Sequence, residues 1–168
     1  MGVSGSGKST IGSALSERLG WLFVDGDSLH PLANVAKMQA GQALDDGDRA
    51  PWLAAIGGQI DAWLAAATPG IVTCSALKRR YRDAIIGTRD GVRLVYLEGS
   101  APLIAGRLGE RRGHFMPASL LQSQFTTLEP PMAEEHPILV RIDNTVDAIV
   151  DEIVTALSLQ QTSIEAPA

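Results

Sequence analysis

The stretch Gly2-Val3-Ser4-Gly5-Ser6-Gly7-Lys8-Ser9-Thr10 stands near the start of the sequence and decides the fold class. It fits the pattern G-x-x-x-x-G-K-[ST] at every fixed position, which is the pattern of a phosphate-binding P-loop. Glycines allow the backbone to turn its N–H groups toward phosphate oxygens, and the helix that follows adds its positive N-terminal end. The alternative interpretation, a flexible Gly/Ser linker, does not account for the Lys-Ser-Thr ending.

The P-loop pattern predicts a binding site for the phosphates of ATP and for magnesium. Lys8 is expected to reach the β- and γ-phosphates and is a candidate catalytic residue, and the Ser9 hydroxyl is a candidate magnesium ligand. The candidate ATP-binding residues of the loop are Gly2, Ser4, Gly5, Ser6, Gly7, Lys8 and Ser9.

One part of the usual P-loop unit is absent from the sequence. A P-loop joins a buried strand to a helix, whereas here only Met1 precedes Gly2. The side chains of such a strand contribute roughly 1.5 to 3 kcal/mol each when they are buried. We therefore expect the natural chain to start upstream of Met1, which an intact-mass measurement of the protein from its native source would test.

Composition limits the kind of protein that this can be. The 168 residues suffice for one domain with a substantial core. The net charge of -5 argues against nucleic-acid and membrane-surface partners, and the absence of a signal peptide or a long apolar run predicts a cytoplasmic location. The single cysteine excludes an internal disulfide, and the three histidines lack the spacing of a zinc site. A homodimer is compatible with the sequence, which does not determine the oligomeric state.

Short apolar runs that predict strands alternate with stretches that predict helices. Strands are expected over residues 21–24, 71–74, 92–97 and 138–142, and helices over 8–19, 34–40, 52–67, 78–86, 101–111, 118–128 and 146–159. Strands and helices in alternation form a central parallel sheet with helices on both faces. We therefore expect a three-layer α/β fold in one domain over residues 1–159, with its first strand missing, and a flexible tail over 160–168.

Two carboxylates, Asp25 and Asp27, follow the strand predicted at residues 21–24. Open α/β sheets bind ligands at the carboxyl ends of their strands, which places both residues across the mouth of the sheet from the P-loop. One carboxylate would accept a proton from an attacking hydroxyl, and the other would hold the magnesium shell or a second hydroxyl. The residues do not decide which does which. A purely structural Asp-Gly-Asp turn is the alternative interpretation.

Basic residues recur at positions that are expected to face the same site. Arg49 follows an acidic loop, and Lys78 and Arg82 belong to a basic run that begins at the carboxyl end of a predicted strand. Arginine and lysine side chains at such an edge bind anions, and the alternative interpretation is a set of surface ion pairs of little energetic value.

A second basic group flanks a glycine-containing loop. Arg107, Arg111 and Arg112 flank this loop, an arrangement typical of a lid that closes over ATP. We expect this lid at about residues 107–118, with Arg107 in the ATP site and Arg111 as a catalytic cation. A plain surface loop is the alternative, and the apolar Phe115 and Met116 argue against it.

Taken together, these stretches resemble the gluconokinases, small P-loop kinases that phosphorylate D-gluconate on its 6-hydroxyl. Besides the P-loop, the resemblance rests on the following residues: Asp25-Gly26-Asp27-Ser28-Leu29-His30-Pro31, Asn34 with Lys37-Met38, Asp48-Arg49-Ala50-Pro51-Trp52-Leu53, Cys74-Ser75-Ala76-Leu77-Lys78-Arg79, Tyr81-Arg82-Asp83, Gly113-His114-Phe115-Met116-Pro117, Ser123-Gln124-Phe125 and Leu128-Glu129. It covers nearly the whole chain up to the last predicted helix.

The resemblance implies a P-loop kinase fold with a lid and ATP-dependent phosphorylation of gluconate in the presence of magnesium. It implies that Gly5, Gly7, Lys8, Ser9 and Thr10 hold ATP and magnesium and that Asp27 is the base for the 6-hydroxyl. It also implies that His30, Arg49, Lys78 and Arg82 line the gluconate site. Together with the reading of the residues themselves, this gives Ser9 and Asp25 as the expected metal ligands. The expected substrate-binding residues are Asp25, Asp27, His30, Arg49, Lys78, Arg82 and His114, most of them in a region of about residues 25–53.

Two other functions stay open at this point. A shikimate or adenylylsulfate kinase would use the same scaffold with another acceptor, and a nucleotide-dependent switch would have no small acceptor. The departures from the gluconokinase pattern are few: Gly47 stands where another acid is expected, and Ile86-Gly87 replaces Leu-Arg. Neither departure removes a residue with an expected role.

Overall fold

Strands and helices alternate along the chain, as the sequence predicts. The computed structural model of the protein describes residues 1–110 and 118–165. The strands are β1 (Leu22–Asp25), β2 (Gly70–Thr73), β3 (Val95–Glu98) and β4 (Ile138–Arg141). The α-helices are α1 (Lys8–Leu19), α2 (Leu32–Gln39), α3 (Asp46–Ala65), α4 (Arg79–Ile85), α5 (Ala101–Glu110), α6 (Ala118–Thr127) and α7 (Val146–Glu165), and short 3₁₀ helices cover Gly26–Leu29 and Ala133–Glu135.

The four strands form two parallel pairs. β1 pairs with β2 so that Asp25 lies opposite Thr73, and β3 pairs with β4 so that Glu98 lies opposite Arg141. The start of the chain lies between the two pairs. Met1 exchanges hydrogen bonds with β3, at the Val95 carbonyl and the Leu97 N–H, and the Gly2 N–H donates to the Ser75 carbonyl just after β2. The P-loop therefore begins at the seam between the pairs.

A cavity of about 470 Å³ lies along this seam. Its walls include β2 residues such as Ile71 and Thr73 and β3 residues such as Val95 and Leu97, together with Met1. The expectation that a strand precedes the P-loop stays a prediction.

Two apolar clusters hold the helices against the strands. The first joins α1, α5 and α7 to β3 and β4, with Ile104, Ile142 and Ile153 fully buried. The second lies under α3 and α4 and contains Trp52 and Ile56. The P-loop helix α1 packs against α7 on one side and against β2 on the other. Its position therefore depends on both clusters.

The two largest differences from the predicted boundaries are at the start of α3 and at the end of α7. α3 begins at Asp46, earlier than expected, because Asp45 and Asp48 form a capping box in which each side chain accepts a hydrogen bond from the other's backbone N–H. Arg49 consequently lies on the first turn of a helix and not after a loop. The last helix continues to Glu165, so residues 160–165 of the predicted tail are helical.

The length and the apolar character of each helix decide whether it could cross a membrane. Within residues 1–110 and 118–165, no helix combines the length and the apolar character needed to span a bilayer.

Candidate active site

The P-loop has a backbone conformation that depends on its glycines. Gly5 and Gly7 have φ angles of 83° and 90°, in the left-handed region that favours glycine. A Cβ atom at Gly5 would lie 2.8 Å from the Leu108 side chain, so α5 leaves no room for one. Gly7 caps α1 without a side-chain hydrogen bond, which leaves the first N–H groups of the helix turned toward the loop. Thr10 is exposed on the first turn of α1.

The side chains of Lys8 and Ser9 in the P-loop are each fixed by a hydrogen bond. Lys8 Nζ donates to the Val3 carbonyl over 3.1 Å, so the ammonium group folds back along the loop. Ser9 Oγ donates to Asp25 Oδ2 over 2.5 Å. This bond joins the P-loop to the end of β1 and brings together the two residues that the sequence predicts as metal ligands.

Asp25 is held in place from three directions. Besides Ser9, its carboxylate accepts hydrogen bonds from Thr73 Oγ1 at 3.0 Å and from the Asp27 N–H at 3.1 Å. Partial burial alone would raise the pKa of Asp25, but these hydrogen bonds outweigh burial and keep the pKa below its usual value. Asp25 is therefore a carboxylate at neutral pH and not a proton carrier.

The donor set at this point suits magnesium. Mg²⁺ prefers oxygen ligands and is usually bound through one or two carboxylates together with substrate phosphates. Ser9 and Asp25 supply a hydroxyl and a carboxylate within 2.5 Å of each other. In the described part of the chain, no group of three or more His, Cys, Asp or Glu side chains is placed to hold a metal ion by itself, so substrate phosphates would have to complete the shell.

Asp27 lies on the 3₁₀ helix after β1, and His30 follows the last residue of this helix. The Asp27 side chain is exposed, and no hydrogen bond from another described side chain reaches its carboxylate. The His30 ring stacks on Trp52, with the centroids 4.1 Å apart and the planes 14° from parallel. Burial lowers the pKa of His30, and although Asp27 opposes this shift, Arg49 adds to it. His30 is therefore neutral near pH 7 and lies within electrostatic reach of both residues.

Three positively charged side chains lie around the ring of Tyr81. Arg49 Cζ lies 5.8 Å from the ring centroid, Lys78 Nζ 5.5 Å and Arg80 Cζ 5.6 Å, distances at which cation–π attraction operates. The Tyr81 hydroxyl donates to Asp46, which also lies 3.4 Å from Lys78. The structure thus brings Arg49 and Lys78, predicted from separate stretches, onto one aromatic ring.

Arg82 is placed differently from the other predicted substrate-binding residues. Its side chain is 1% exposed, and its guanidinium pairs with Glu135 through Nε at 2.5 Å and Nη2 at 3.0 Å. Nη1 donates to the carbonyls of Ala76 and Glu129. These contacts tie the segment before α4 to the segment after α6, so the structure gives Arg82 a supporting position behind the site. A direct role in substrate binding stays a prediction.

The predicted lid is described only in part. Arg107, in the last turn of α5, donates a hydrogen bond to the Ile142 carbonyl. Its contact with ATP stays a prediction, and Arg111 and His114 lie outside the described residues.

Three further residues shape the site without having been predicted. The indole of Trp52 donates to the Gly26 carbonyl over 2.7 Å and so fixes the 3₁₀ helix that carries Asp27. Asp46 occupies the cation cluster around Tyr81. Gln124 contacts the P-loop at Ser4. Trp52 and Gln124 lie in stretches that carry the family resemblance, but only the fold reveals what they contact.

Comparison with known proteins identifies the family. The family described as an AAA domain matches residues 1–131. The chain is 47% identical to the gluconokinase of Gluconobacter oxydans (strain 621H) over 154 residues, which cover 92% of this chain and 86% of that protein. It is 41% identical to the thermoresistant gluconokinase of Escherichia coli (strain K12) over 151 residues, which cover 89% of this chain and 86% of that protein.

A solved structure agrees with these sequence relatives. The crystal structure of a gluconokinase from Sinorhizobium meliloti 1021 matches with a TM-score of 0.88 and 45% identity, and the match covers 98% of this chain and 92% of that one. The predicted α/β P-loop kinase fold and the predicted resemblance are both confirmed. The chain belongs to the gluconokinase family.

Proposed function

We propose that this protein transfers the γ-phosphoryl group of ATP to the 6-hydroxyl of D-gluconate and so forms 6-phospho-D-gluconate and ADP. The observation that carries the proposal is the 2.5 Å hydrogen bond between Ser9 and Asp25. It holds the phosphate-binding loop against the strand end that carries the candidate base, in a chain 47% and 41% identical to two named gluconokinases.

Each half of the site supplies one part of the reaction. The N–H groups of the P-loop and the ammonium of Lys8 bind the phosphates and neutralise the charge that develops on them. Asp27 accepts the proton of the 6-hydroxyl while the oxygen forms its bond to phosphorus and the bond between phosphorus and the ADP oxygen breaks. The exposed carboxylate of Asp27, to which no described side chain donates, supports this role.

Arg49 and Lys78 are the groups that we assign to the gluconate carboxylate. Both lie against the Tyr81 ring, and a cation pair of this kind binds a carboxylate by charge-assisted hydrogen bonds. His30, neutral and held against Trp52, offers a hydrogen-bonding nitrogen to a sugar hydroxyl.

Magnesium is the metal that this oxygen donor set would take, with Ser9 and Asp25 as its protein ligands. When bound, it supplies positive charge to the β- and γ-phosphates. Removal of magnesium with EDTA is expected to abolish turnover, and addition of Mg²⁺ to restore it.

The wider setting of the activity follows from charge and composition. With a net charge of -5, we infer that the protein has no nucleic-acid partner. The single cysteine suits a reducing compartment, and we infer a cytoplasmic location. A homodimer is the assembly to test first, by light scattering at several protein concentrations.

A coupled assay of ADP release over a panel of acceptors tests the function. We expect turnover with gluconate well above turnover with shikimate, adenylylsulfate and polyols, and none in a Lys8→Met variant. Turnover with another acceptor but not with gluconate would overturn the assignment. Slow ATP hydrolysis that no acceptor changes would instead indicate a nucleotide-dependent switch. Phosphorus NMR of the product checks that the ester forms at the 6-position.

A further inference from the structure

The side-chain amide of Asn34, on α2, lies between His30 and the start of α3. Asn34 Nδ2 donates to the Asp48 carbonyl over 2.7 Å and lies 3.5 Å from Nδ1 of the His30 ring. A carbonyl oxygen can only accept, so the amide atom that faces Asp48 has to be the nitrogen. The orientation of the amide is therefore fixed, and the second hydrogen of this nitrogen is left for His30.

This amide determines which ring nitrogen of His30 carries the proton. At the 3.5 Å contact the Asn34 nitrogen can only donate, so His30 Nδ1 has to accept with its lone pair. A proton on Nδ1 would instead set two N–H groups against each other. In the neutral ring the proton then lies on Nε2, which becomes a hydrogen-bond donor. The lowered pKa of His30, which burial causes, agrees with a neutral ring.

Asn34 has little freedom to move away from this position. It is 4% exposed, and one turn further along α2 the ammonium group of Lys37 pairs with the carboxylate of Asp48. The Asp48 N–H in turn donates to Asp45, as part of the cap of α3. α2 is thus attached to Asp48 at both its backbone carbonyl and its side chain, and these two attachments hold the amide beside His30.

The other ring nitrogen of His30 is left to a ligand. One face of the ring stacks on Trp52, and among the residues that the structure describes, Asn34 is the one hydrogen-bond partner of the ring nitrogens. The side chain is partly exposed and lies within electrostatic reach of Asp27 and Arg49, which we assign to the acceptor. His30 therefore brings an N–H donor, at Nε2, to the acceptor side of the site.

We propose that Asn34 is a positioning residue that holds His30 in the Nε2–H tautomer, in which His30 donates a hydrogen bond to a hydroxyl oxygen of gluconate. The carboxylate of Asp27 can only accept, whereas the hydroxyls of a sugar acid both donate and accept. With the Nε2–H tautomer the acceptor side offers one donor and one acceptor. With the other tautomer, Asp27 and His30 would compete for hydroxyl protons. The inference rests on the proposed kinase function.

The tautomer of His30 in the wild-type protein provides the first test, which needs no ligand. Long-range ¹H–¹⁵N correlation spectra of the ¹⁵N-labelled protein distinguish rings protonated on Nδ1, on Nε2 or on both nitrogens. The His30→Phe variant, which keeps an aromatic ring against Trp52, identifies the signals of His30 among the three histidines. At about pH 9, well above the usual pKa of histidine, we expect the Nε2–H tautomer.

Asn34→Asp should reverse the tautomer. An ionised aspartate can only accept, so Nδ1 of the neutral ring would carry the proton and Nε2 would keep its lone pair. The same spectra, at the same pH, measure this reversal. The control is Gln39→Glu, which makes the same change from an amide to a carboxylate at an exposed position on α2 and should leave His30 in the Nε2–H tautomer.

Gluconate affinity shows whether the tautomer matters for binding. Titration calorimetry at the same pH, with a nonhydrolysable ATP analogue present, compares wild type, Asn34→Asp, His30→Phe and the double variant. The negative charge that Asn34→Asp adds repels gluconate in either background, so the difference between the two backgrounds reports His30. We expect Asn34→Asp to weaken gluconate binding about fivefold more in the wild-type background than in His30→Phe, which is the value of one hydrogen bond.

Three outcomes would overturn the inference: a wild-type His30 ring protonated on Nδ1, a ring that stays in the Nε2–H tautomer in Asn34→Asp, or equal losses of gluconate affinity in both backgrounds. If the wild type does not bind gluconate, the proposed function fails, and the spectra recorded without ligand still decide whether Asn34 sets the tautomer of His30.

Thermal unfolding of every variant shows whether the fold is retained. If Asn34→Asp does not fold, Asn34→Ala takes its place, because it removes the donor without adding a charge. Both tautomers of His30 should then be populated, and a ring that stays wholly in the Nε2–H tautomer would again overturn the inference.

Discussion

The donor side and the acceptor side of the active site are built in different ways. The donor side is one contiguous loop, residues 2–9, whose shape depends on glycines with positive φ. The acceptor side is assembled from side chains of three separate segments. Asp27 and His30 follow β1, Arg49 opens α3, and Lys78 precedes α4.

The difference shows what each side depends on. A local loop keeps its shape as long as its glycines and its neighbouring helices stay in place. The acceptor side depends on tertiary contacts, such as the stack of His30 on Trp52 and the cations around Tyr81. We therefore expect that some substitutions on the acceptor side will impair only substrate binding, others only the chemical step and others only stability. The following experiments test this expectation.

The largest effect is expected from Arg82→Met, which removes one partner of a buried ion pair. The Glu135 carboxylate would stay buried without its cation, at a cost of about 3 to 5 kcal/mol in the free energy of unfolding. Chemical denaturation measures this loss. Arg79→Met is the matched control, because Arg79 belongs to the same cluster but is 42% exposed, and its loss should change stability little.

The kinetics of Arg82→Met at low temperature decide whether Arg82 also contacts substrate. We expect the folded fraction of Arg82→Met to keep a KM for gluconate within about threefold of wild type. A threefold change in KM corresponds to less than about 1 kcal/mol, which is less than the loss of a direct contact with the substrate would cost. Unchanged stability together with a raised KM would instead return Arg82 to the substrate site.

Asp27→Asn should act on chemistry alone. General base catalysis contributes about a hundredfold to ten thousandfold, so we expect kcat to fall by roughly a thousandfold while ATP affinity persists. Rapid-quench kinetics and nucleotide titration measure the two quantities. Asp90→Asn, the same change at an exposed position, is the control. Wild-type turnover in Asp27→Asn would remove Asp27 from the role of base.

Arg49→Met should act on gluconate binding. A hydrogen bond to a charged group is worth about 1.5 to 3 kcal/mol, which predicts a rise of roughly 10- to 100-fold in the KM for gluconate with the KM for ATP nearly unchanged. Arg18→Met is the control. Arg18 is half exposed in the last turn of α1 and pairs with Asp151 on α7, so it belongs to neither side of the proposed site. Equal increases in both KM values would show that the two sides of the site are not separable.

The smallest effect is expected in the pH dependence of the free energy of unfolding, through His30. Because its pKa in the folded protein lies below 6.5, the unfolded chain binds more protons between those two pKa values. The contribution of neutral His30 to stability is thus fully present above pH 6.5 and declines as the pH falls toward the folded-state pKa. The difference in unfolding free energy between wild type and His30→Gln should shrink over this window, by less than about 1 kcal/mol because the ring is partly exposed. A difference that grew on acidification would contradict the direction of the shift.

The sequence predicts the donor side well and the acceptor side only in outline. A P-loop is a local pattern, so residues 2–9 and the helix Lys8–Leu19 can be recognised without knowledge of the rest of the fold. Asp25 and Asp27 could be placed because parallel strands end at one edge of a sheet. The alternation of strands and helices, which fixes the fold class, is equally local in origin.

The remainder depends on contacts that no local pattern records. Arg82 reads as one member of a basic run, and its burial against Glu135 follows only from the packing of the segment after α6. The sequence predicts a start of α3 that is too late, because the acidic residues at 45–48 are typical of a loop, whereas in the structure Asp45 and Asp48 cap each other's backbone. Long-range hydrogen bonds such as Gln124 to Ser4 leave no periodicity to detect.

The stack of His30 on Trp52 gives the acceptor side an optical signal of its own. Trp52 is 1% exposed, its ring stacks on His30, which we propose to contact the acceptor, and its N–H donates to the Gly26 carbonyl in the turn that carries Asp27. Its fluorescence should therefore respond when the acceptor moves His30, even in the absence of ATP. With Trp21 and Trp63 replaced by phenylalanine, occupancy of the acceptor side could be followed in real time without a label, and the order in which the two substrates bind could be read from one stopped-flow trace.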